Sequence, residues 1–226
     1  MIPIRIVSCT RQKDFAGTPL GLTIQRFKHL PFIEFQLFVS NTTGLGRRYN
    51  EAIEVAKNDP AILVFVHDDV EITDWYWYWR LAAALEKHQL IGLAGNANPL
   101  PNQTSWAVVD LKGTLSNRQS WAGCVAKRDG NWDVFAPPDR EVSLIDGLFM
   151  AADSRTFINN NIRFDEQFDF HHYDMDICRQ FVQKGLSIYV ASISVIHHSQ
   201  GSISPAWEES ARRYIEKWAT KEKVEH

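Results

Sequence analysis

Short apolar stretches recur along the first hundred residues, and each has the pattern of a β-strand. Residues 4–8 are rich in β-branched side chains, residues 33–39 alternate apolar with polar positions, and residues 61–66 are continuously apolar. Alternation indicates a strand with one buried face, whereas a continuous apolar run indicates a strand buried on both faces. With a further apolar run at residues 90–94, the pattern predicts four strands in this half of the chain.

Amphipathic helices are predicted between these strands. The first spans residues 19–29 after Thr18, because threonine can cap a helix and the proline that follows has no N–H to leave unpaired. The second covers residues 49–56, where apolar side chains recur at helical spacing, and the third is capped by Asp74 and covers residues 75–85. Strands that alternate with helices at this pitch predict a parallel sheet with helices on both faces.

The second half of the chain is less regular. Residues 96–142 contain four prolines and no clear hydrophobic period, which predicts a loop-rich insertion or irregular strands. An apolar run returns at residues 142–152, and a later helix with a buried stripe is closed by Gly185. Residues 186–196 predict another strand, and a final amphipathic helix opens at Ser204.

These elements predict one α/β domain over residues 1–226, built on a Rossmann-like, mostly parallel sheet flanked by helices. The length of the chain suits the core of a single domain. Within it we distinguish a regular half at residues 1–95, an irregular half at residues 96–202 and a C-terminal helix at residues 203–226.

Polar side chains follow three consecutive predicted strands. Residues 8–11 (SCTR) follow the first strand, residues 40–42 (SNT) the second and residues 67–69 (HDD) the third. Ligands of parallel sheets bind beyond the carboxyl ends of the strands. We therefore expect these three polar segments to meet at one rim of the sheet and to form a binding site.

Asp68 and Asp69 form a carboxylate pair at the end of a hydrophobic strand. Two adjacent carboxylates repel, so one pKa rises unless a cation intervenes. Oxygen ligands suit Mg²⁺ or Mn²⁺, and Mg²⁺ is commonly held by one or two carboxylates together with substrate phosphates. The alternative interpretation is that the pair ends the strand and starts a turn, which aspartate does well.

Further carboxylates and imidazoles lie late in the chain. Asp174 and Asp176 precede a predicted helix, and His197 ends a predicted strand. A carboxylate combined with imidazole favours Mn²⁺ over Ca²⁺. Three other histidines compete for this role: His171, His172 and His198. Asp174 is also a candidate helix N-cap, which is worth about 1 kcal/mol and is compatible with a catalytic role, because a helix N-terminus stabilises an ionised carboxylate.

Composition limits the classes of binding partner and the cellular compartment that we expect for this protein. The net charge of −3 gives no general attraction for nucleic acid. The N-terminus lacks the apolar core of a signal peptide, and no stretch reaches the roughly 18 apolar residues of a membrane span. Three widely spaced cysteines without CxxC spacing fit a reducing compartment. We therefore expect a cytoplasmic protein with no transmembrane segment and no nucleic-acid partner.

The chain contains eight tryptophans, three of which cluster at Trp75, Trp77 and Trp79. Aromatic rings stack well on sugars and bases, and they also pack well in hydrophobic cores. The sequence leaves both interpretations of this cluster open.

An ordered set of short motifs runs from residue 44 to residue 202. The motifs are GLGRRYNEAI at residues 44–53, ILVFVHDDV at 62–70, IDGLFM at 145–150, HYDMDICR at 172–179 and VIHHSQGS at 195–202. In this order and spacing they resemble the motifs of glycosyltransferase family 2-like enzymes, which have the GT-A fold. In this alignment His67 stands at the first aspartate of the family's DXD-type motif, and Tyr173 stands where a glutamate is usual.

The resemblance implies a nucleotide-binding half at residues 1–95 and an acceptor and catalytic half at residues 96–202. It implies a nucleotide pocket lined by Ser8, Thr10, Arg11, Asn41 and Asn50, with Asp68 near the ribose. It also implies a divalent cation, Mn²⁺ or Mg²⁺, held by Asp69 with His197 as a further ligand.

The implied reaction transfers a sugar from a nucleotide-diphosphate sugar, most naturally a UDP-sugar, to an acceptor hydroxyl. Asp174 would be the general base in one displacement, which inverts the anomeric configuration. Asp146 and Gly147 would lie near the sugar or the acceptor, and Asp176 would be a rival of Asp174. The acceptor, whether glycan, protein or small molecule, is not specified.

Two alternatives remain beside the transferase hypothesis. A nucleotidyltransferase shares this sheet and metal chemistry, but it needs a glycine-rich phosphate loop, and residues 10–17 contain one glycine. A non-catalytic module of the same fold would bind a nucleotide or sugar without transferring it. Retention of Asp69, Asp174 and His197 favours the enzyme.

Overall fold

The computed structural model of the chain describes residues 2–199 and 203–222. Its strands are β1 (Ile4–Cys9), β2 (Ile33–Phe38), β3 (Ile62–Val66), β4 (Val70–Ile72), β5 (Leu90–Gly92), β6 (Ala94–Asn96), β7 (Trp121–Lys127), β8 (Trp132–Ala136), β9 (Arg140–Val142), β10 (Leu144–Ile145), β11 (Phe149–Asp153), β12 (Ile188–Val190) and β13 (Val195–His197). Its helices are α1 (Pro19–Phe27), α2 (Leu45–Val55), α3 (Trp77–Leu85), α4 (Ser154–Asn159), α5 (Tyr173–Gln183) and α6 (Pro205–Glu222), with a 3-10 turn at Arg118–Ser120.

The main sheet has seven strands among the described residues, in the order β2-β1-β3-β11-β5-β12-β9. β1 is parallel to β2 and β3, and β5 is parallel to β12. β11 is antiparallel to both of its neighbours, and β9 is antiparallel to β12. The predicted α/β class is confirmed, but the sheet is mixed rather than mostly parallel. After β5 the chain leaves this sheet and returns first as the edge strand β9 and then as β11, and both of these strands run opposite to β5.

β3 is buried on both faces, as its continuous apolar run predicts. Successive side chains of a strand point to opposite faces of the sheet. Leu63 and Phe65 pack in one core cluster with side chains of α2 and α5. Ile62, Val64 and Val66 pack in a second cluster with side chains of α1 and α3. Helices therefore cover both faces of the main sheet.

The predicted start of the first helix is confirmed, and that of the third is not. The Thr18 hydroxyl accepts a hydrogen bond from the Gly21 N–H at 3.1 Å and so caps α1. Asp74 lies too early to cap α3, which begins at Trp77. Its carboxylate accepts instead from the N–H of Tyr76 at 2.8 Å, so it stabilises the turn before the helix.

The irregular segment 96–142 holds strands that no hydrophobic period predicted. A second sheet with six strands in the described part of the chain has the order β10-β6-β7-β13-β4, with β8 paired to β7. Trp106, Trp121 and Phe135 pack together there, with ring centroids 5.1 to 5.6 Å apart. The predicted strand at residues 186–196 is divided between the two sheets, as β12 and β13.

The tryptophan cluster at residues 75–79 is divided between core and surface. Trp77 is fully buried and contacts the ring of Phe27 edge-on, at a centroid distance of 6.1 Å. Trp75 and Trp79 are 62% and 57% exposed. Core packing therefore accounts for Trp77, whereas Trp75, which lies before α3, and Trp79, which lies within it, remain exposed.

Helix α6 begins as its sequence predicts and carries charged residues along its length. The Ser204 hydroxyl accepts a hydrogen bond from the Trp207 N–H at 3.2 Å. Over residues 2–199 and 203–222, none of the helices combines the length and the apolar character that crossing a bilayer requires.

A buried ionic contact anchors α6 to α5. Asp176 is fully buried, and its carboxylate accepts hydrogen bonds from Trp218 Nε1 at 2.9 Å and from Gln180 Nε2 at 2.8 Å. Lys217 Nζ lies 2.6 Å from Asp176 Oδ1 and 2.7 Å from Asp165 Oδ2. A buried carboxylate is tolerated only when it is paired and hydrogen-bonded, so this cation is part of the fold.

We predict that Lys217→Met lowers the free energy of unfolding by about 3 kcal/mol, because it leaves Asp176 buried without its cation. Urea denaturation followed by circular dichroism measures the change. Lys57→Met is the matched control, because Lys57 and Glu54 form an exposed pair whose loss costs about 1 kcal/mol or less. Equal losses in the two variants would show that the buried contact adds no more stability than the exposed pair.

Candidate functional site

A cavity of about 820 Å³ opens at the carboxyl ends of β1, β2 and β3, and we call it the first cavity. Four of the predicted nucleotide-site residues line it: Thr10, Arg11, Asn41 and Asp68. Arg47, Glu166 and Asp169 also line it. The rim expected from the three polar segments is therefore present, with both positive charges and carboxylates in its wall.

Asn41 shapes the wall of this cavity through its own hydrogen bonds. Its amide donates to the Thr43 carbonyl at 2.7 Å, and its Oδ1 accepts from Arg48 Nε at 3.0 Å. The Arg48 guanidinium lies over the Phe38 ring at 5.1 Å from the centroid. These contacts hold the loop after β2 in one shape at the cavity edge.

Ser8 and Asn50, predicted for the nucleotide pocket, do not line the first cavity. Ser8 is fully buried in β1. The Asn50 amide donates to the Phe164 carbonyl at 2.9 Å and to Glu166 Oε1 at 3.1 Å, while its Oδ1 accepts from the Phe164 N–H at 3.0 Å. Asn50 therefore ties α2 to the loop that carries Glu166, and its polar atoms are already used.

A second cavity of about 560 Å³ adjoins the first, and Phe170 lines both. The site residues in its wall are His67, Asp69, Asp146, Gly147, Asp174 and His197. Trp106 and Trp207 add aromatic surface to the wall. Residues predicted from distant parts of the sequence thus meet around one cavity.

His67, Asp69 and His197 form a cluster with the ligand atoms of a metal site. One atom from each side chain lies within 4.8 Å of the other two. His67 Nδ1 is 3.9 Å and His197 Nε2 is 3.4 Å from Asp69 Oδ1. The pairing of β13 with β4 places His197 opposite Val70, which is why His197 reaches Asp69.

The charges of the cluster suit a cation. Burial raises the pKa of Asp69, but His197 and then His67 outweigh it and hold that pKa below its ordinary value. Burial lowers the pKa of His67, whereas Asp69 outweighs burial at His197 and raises its pKa. Asp69 Oδ1 is buried and makes no well-aligned hydrogen bond among the described residues; its nearest imidazole atom is His197 Nε2 at 3.4 Å. A divalent ion bound by two imidazoles and one carboxylate would satisfy this atom.

Asp174 lies in the first turn of α5, where its carboxylate accepts two backbone hydrogen bonds. Oδ2 accepts from the Gly147 N–H at 3.0 Å, and Oδ1 from the Met175 N–H at 2.9 Å. Asp174 is not the helix N-cap, because that position is taken by His172, whose φ is 66°. Burial, and secondly the Asp146 carboxylate, raise the pKa of Asp174 to about 7.

Asp146 is itself fixed by two hydrogen bonds. Trp106 Nε1 donates to its Oδ2 at 2.8 Å, and the Leu148 N–H donates to its Oδ1 at 2.9 Å.

Asp176, predicted as an acceptor-site residue and rival base, lies elsewhere, because its carboxylate is fully buried against α6. Of the two candidates, Asp174 alone lines the second cavity.

The sequence did not single out Trp106, Phe170 or Trp207 as site residues. Trp106 lies in the segment without a hydrophobic period, and Phe170 lies just before the motif at residues 172–179. The prediction treated Trp207 as part of an amphipathic helix face. An aromatic residue looks the same in a sequence whether it faces a core or a cavity, so no pattern marked these three.

The sequence profile described as "Glycosyltransferase like family" matches residues 25–218. The chain belongs to this family. The match covers the motifs that predicted a family 2-like glycosyltransferase, and it confirms that prediction. The last motif includes residues 200–202, which lie outside the described residues.

Two solved structures show the fold of this glycosyltransferase-like protein. A197 from STIV has a TM-score of 0.54 at 14% identity, covering 88% of this chain and 87% of that chain. GalNAc-T7, determined with UDP, GalNAc and Mn²⁺, has a TM-score of 0.55 at 12% identity, covering 96% of this chain and 48% of that chain. At these identities the likeness shows the fold alone, which is the expected GT-A fold. No curated protein matched the chain.

We predict that Asp146→Asn in this glycosyltransferase lowers the pKa of Asp174 below about 7. It removes one of the two causes of the shift, and burial, the larger cause, keeps that pKa above its ordinary value. Carboxyl ¹³C NMR titration of the metal-free protein measures the change. Asp110→Asn, in an exposed turn, should leave the titration of Asp174 unchanged. An unaltered midpoint in Asp146→Asn would mean that burial alone sets the pKa.

Proposed function

We propose that the protein transfers a sugar from a nucleoside-diphosphate sugar to an acceptor hydroxyl, with inversion and with assistance from a divalent metal ion. One observation carries this proposal: the His67–Asp69–His197 cluster lies where the two cavities adjoin. Asp68 lines the first cavity, and its neighbours His67 and Asp69 line the second. A diphosphate between the cavities would place the nucleoside on one side and the sugar on the other.

The first cavity suits a nucleoside diphosphate. Arg11 and Arg47 supply positive charge for phosphate oxygens. The carboxylates of Asp68, Glu166 and Asp169 can accept hydrogen bonds from ribose hydroxyls or base N–H groups. GalNAc-T7 has a similar fold, and its structure contains UDP and Mn²⁺, which makes a UDP-sugar the first donor to test.

His67, Asp69 and His197 would hold the cation. When bound there, the ion supplies Lewis-acid stabilisation of the charge that develops on the departing diphosphate. The three residues suit such a site because they bring a buried carboxylate oxygen without a well-aligned hydrogen bond among the described residues next to two imidazoles. Two imidazoles beside one carboxylate favour Mn²⁺ over Mg²⁺.

Asp174 is the proposed general base. Its carboxylate lines the second cavity, and a pKa of about 7 lets it accept a proton near neutral pH. The acceptor oxygen attacks the anomeric carbon from the side opposite the diphosphate while Asp174 takes the hydroxyl proton. The glycosidic bond forms as the sugar–phosphate bond breaks, so one displacement inverts the configuration.

The aromatic walls of the second cavity support a carbohydrate as the transferred group. Trp106, Phe170 and Trp207 offer ring faces on which the apolar faces of a sugar can pack. Asp146 lies on the same wall and has room to accept a sugar hydroxyl beside its two existing hydrogen bonds.

We predict that Asp174→Asn lowers the rate of sugar transfer by 10²- to 10⁴-fold, the usual contribution of a positioned base. Nucleotide binding should stay close to that of the wild type, because Asp174 does not line the first cavity. Release of nucleoside diphosphate in the presence of acceptor measures turnover, and calorimetry measures binding. The wild-type rate should rise with pH through about 7 as the carboxylate ionises.

Asp110→Asn is the control for a charge change outside both cavities and should keep full turnover. Unchanged turnover in Asp174→Asn would remove Asp174 from the mechanism. Nucleotide binding by the wild type with no transfer to any acceptor in a broad panel would identify a non-catalytic binding module.

We predict that a nucleotide sugar raises the melting temperature of the protein only when Mn²⁺ is present. A ligand at a hundred times its dissociation constant stabilises a protein by about 2.7 kcal/mol. A thermal-shift panel of UDP-, GDP- and dTDP-sugars, each with Mn²⁺, Mg²⁺ or EDTA, identifies the donor class and the ion. The Asp69→Asn variant should lose the metal-dependent part of the shift. Equal shifts in EDTA and Mn²⁺ would contradict the metal site.

A further inference from the structure

Two departures from the family motifs contact each other, although they lie far apart in the sequence. Tyr173 Oη is 2.6 Å from His67 Nε2, and it donates a hydrogen bond to the Gly147 carbonyl at 3.1 Å. The Tyr173 side chain is 2% exposed. Its hydroxyl is therefore held between an imidazole and a carbonyl, away from bulk water.

One tautomer of His67 lets both contacts of the Tyr173 hydroxyl be hydrogen bonds. A tyrosine hydroxyl has one proton, and a carbonyl oxygen can only accept a hydrogen bond. Both contacts are hydrogen bonds at once when Tyr173 donates its proton to the Gly147 carbonyl and accepts from His67, an arrangement in which Nε2 carries the imidazole proton. A neutral His67 then has an unprotonated Nδ1, which is the atom that lies 3.9 Å from Asp69 Oδ1.

We propose that Tyr173 is a positioning residue that holds His67 in the Nε2–H tautomer, so that His67 Nδ1 is a metal ligand beside Asp69 and His197. This inference rests on the metal site of the proposed function. A ligating imidazole commonly donates its other N–H to an oxygen, which fixes its tautomer and ring orientation. Tyr173 provides that oxygen here. The histidine at the first position of the DXD-type motif thus supplies a ligand instead of weakening the site.

The surroundings of the Tyr173 hydroxyl are shaped to admit it. A Cβ at Gly147 would lie 2.4 Å from Tyr173 Oη and 2.8 Å from Cζ, so a side chain at this position is incompatible with the contact. The rings of Tyr49 and Phe164 lie 5.8 and 6.1 Å from the Tyr173 ring and restrict its movement. The imidazole ring of His67 also stacks on the ring of Phe170, with a centroid distance of 5.9 Å.

The first test determines the tautomer in the metal-free protein. Long-range ¹H–¹⁵N correlation spectra of protein labelled at the histidine ring nitrogens distinguish the Nε2–H from the Nδ1–H form, and His67→Gln assigns the signal. We expect the Nε2–H pattern for His67 in the wild type. In Tyr173→Phe we expect a mixture of tautomers. An Nδ1–H pattern for His67 in the wild type would overturn the proposal, whether or not Tyr173→Phe folds.

The second test measures metal affinity without any substrate, by competition of Mn²⁺ and Zn²⁺ with a chromophoric chelator. Tyr173→Phe should weaken metal binding 10- to 100-fold, the usual effect of removing a group that hydrogen-bonds to a metal-ligating histidine. Gly147→Ala should weaken binding as well, because its added methyl group displaces the Tyr173 hydroxyl. Tyr189→Phe, which removes a hydroxyl from β12 at a distance from both cavities, is the control and should bind like the wild type.

Each result separates this inference from the proposed function. Affinity of Tyr173→Phe within twofold of the wild type, in a variant with an unchanged melting temperature, overturns the role of Tyr173 even if the wild type transfers sugar. Conversely, the expected tautomer and metal affinities in a wild type that transfers nothing would support the ligand assignment while removing the enzymatic proposal.

Discussion

The pairing of β11 with β3 is the constraint on which the site depends. Phe149 lies opposite Val66, and the hydrogen bond from the His67 N–H to the Leu148 carbonyl, at 3.1 Å, extends the ladder by one residue. Because β11 runs antiparallel to β3, it begins at the rim where β3 ends. Gly147 is consequently held beside the charged end of β3. A shift of the register would move Gly147 away from His67 and away from the helix that carries Asp174.

The site brings several carboxylates close together, and the structure offsets their electrostatic repulsion in different ways. Asp146 and Asp174 each accept two hydrogen bonds from protein N–H groups, yet burial still leaves Asp174 with a raised pKa. Asp69 is balanced by two histidines instead. One carboxylate is thus suited to exchanging a proton near neutrality, and another to remaining ionised beside a cation. The two roles require different surroundings, and the rim provides both within one cavity wall.

Much of the candidate site could be predicted from the order of polar residues after strands. Thr10, Arg11, Asn41 and Asp68 line one cavity, and Asp69, Asp174 and His197 line the other. Other predicted residues lie outside both cavities for physical reasons. Asn50 and Asp176 have the residue types of a binding site, but their polar atoms are used by neighbouring elements. Whether a carboxylate or an amide is free or already paired depends on residues that pack against it, which a motif does not describe.

The amino-acid pattern was sufficient for β1, β2, β3 and β5, for the helices between them and for the family, since periodicity and motif order are local properties of a chain. The mixed sheet, β4, the strands within residues 96–142 and the aromatic wall depended on the tertiary structure. β4 and β9 are too short to have a period, a register shift between Gly123 and Cys124 interrupts the pairing of β7 with β8, and a tryptophan can face either a core or a cavity. The sequence also shows His67 and Tyr173 as two unrelated departures from a motif. Only folding brings His67 Nε2 and Tyr173 Oη to 2.6 Å from each other, which is the distance of a hydrogen bond. Two residues that replace acidic side chains of the motif are therefore one hydrogen-bonded pair in the structure.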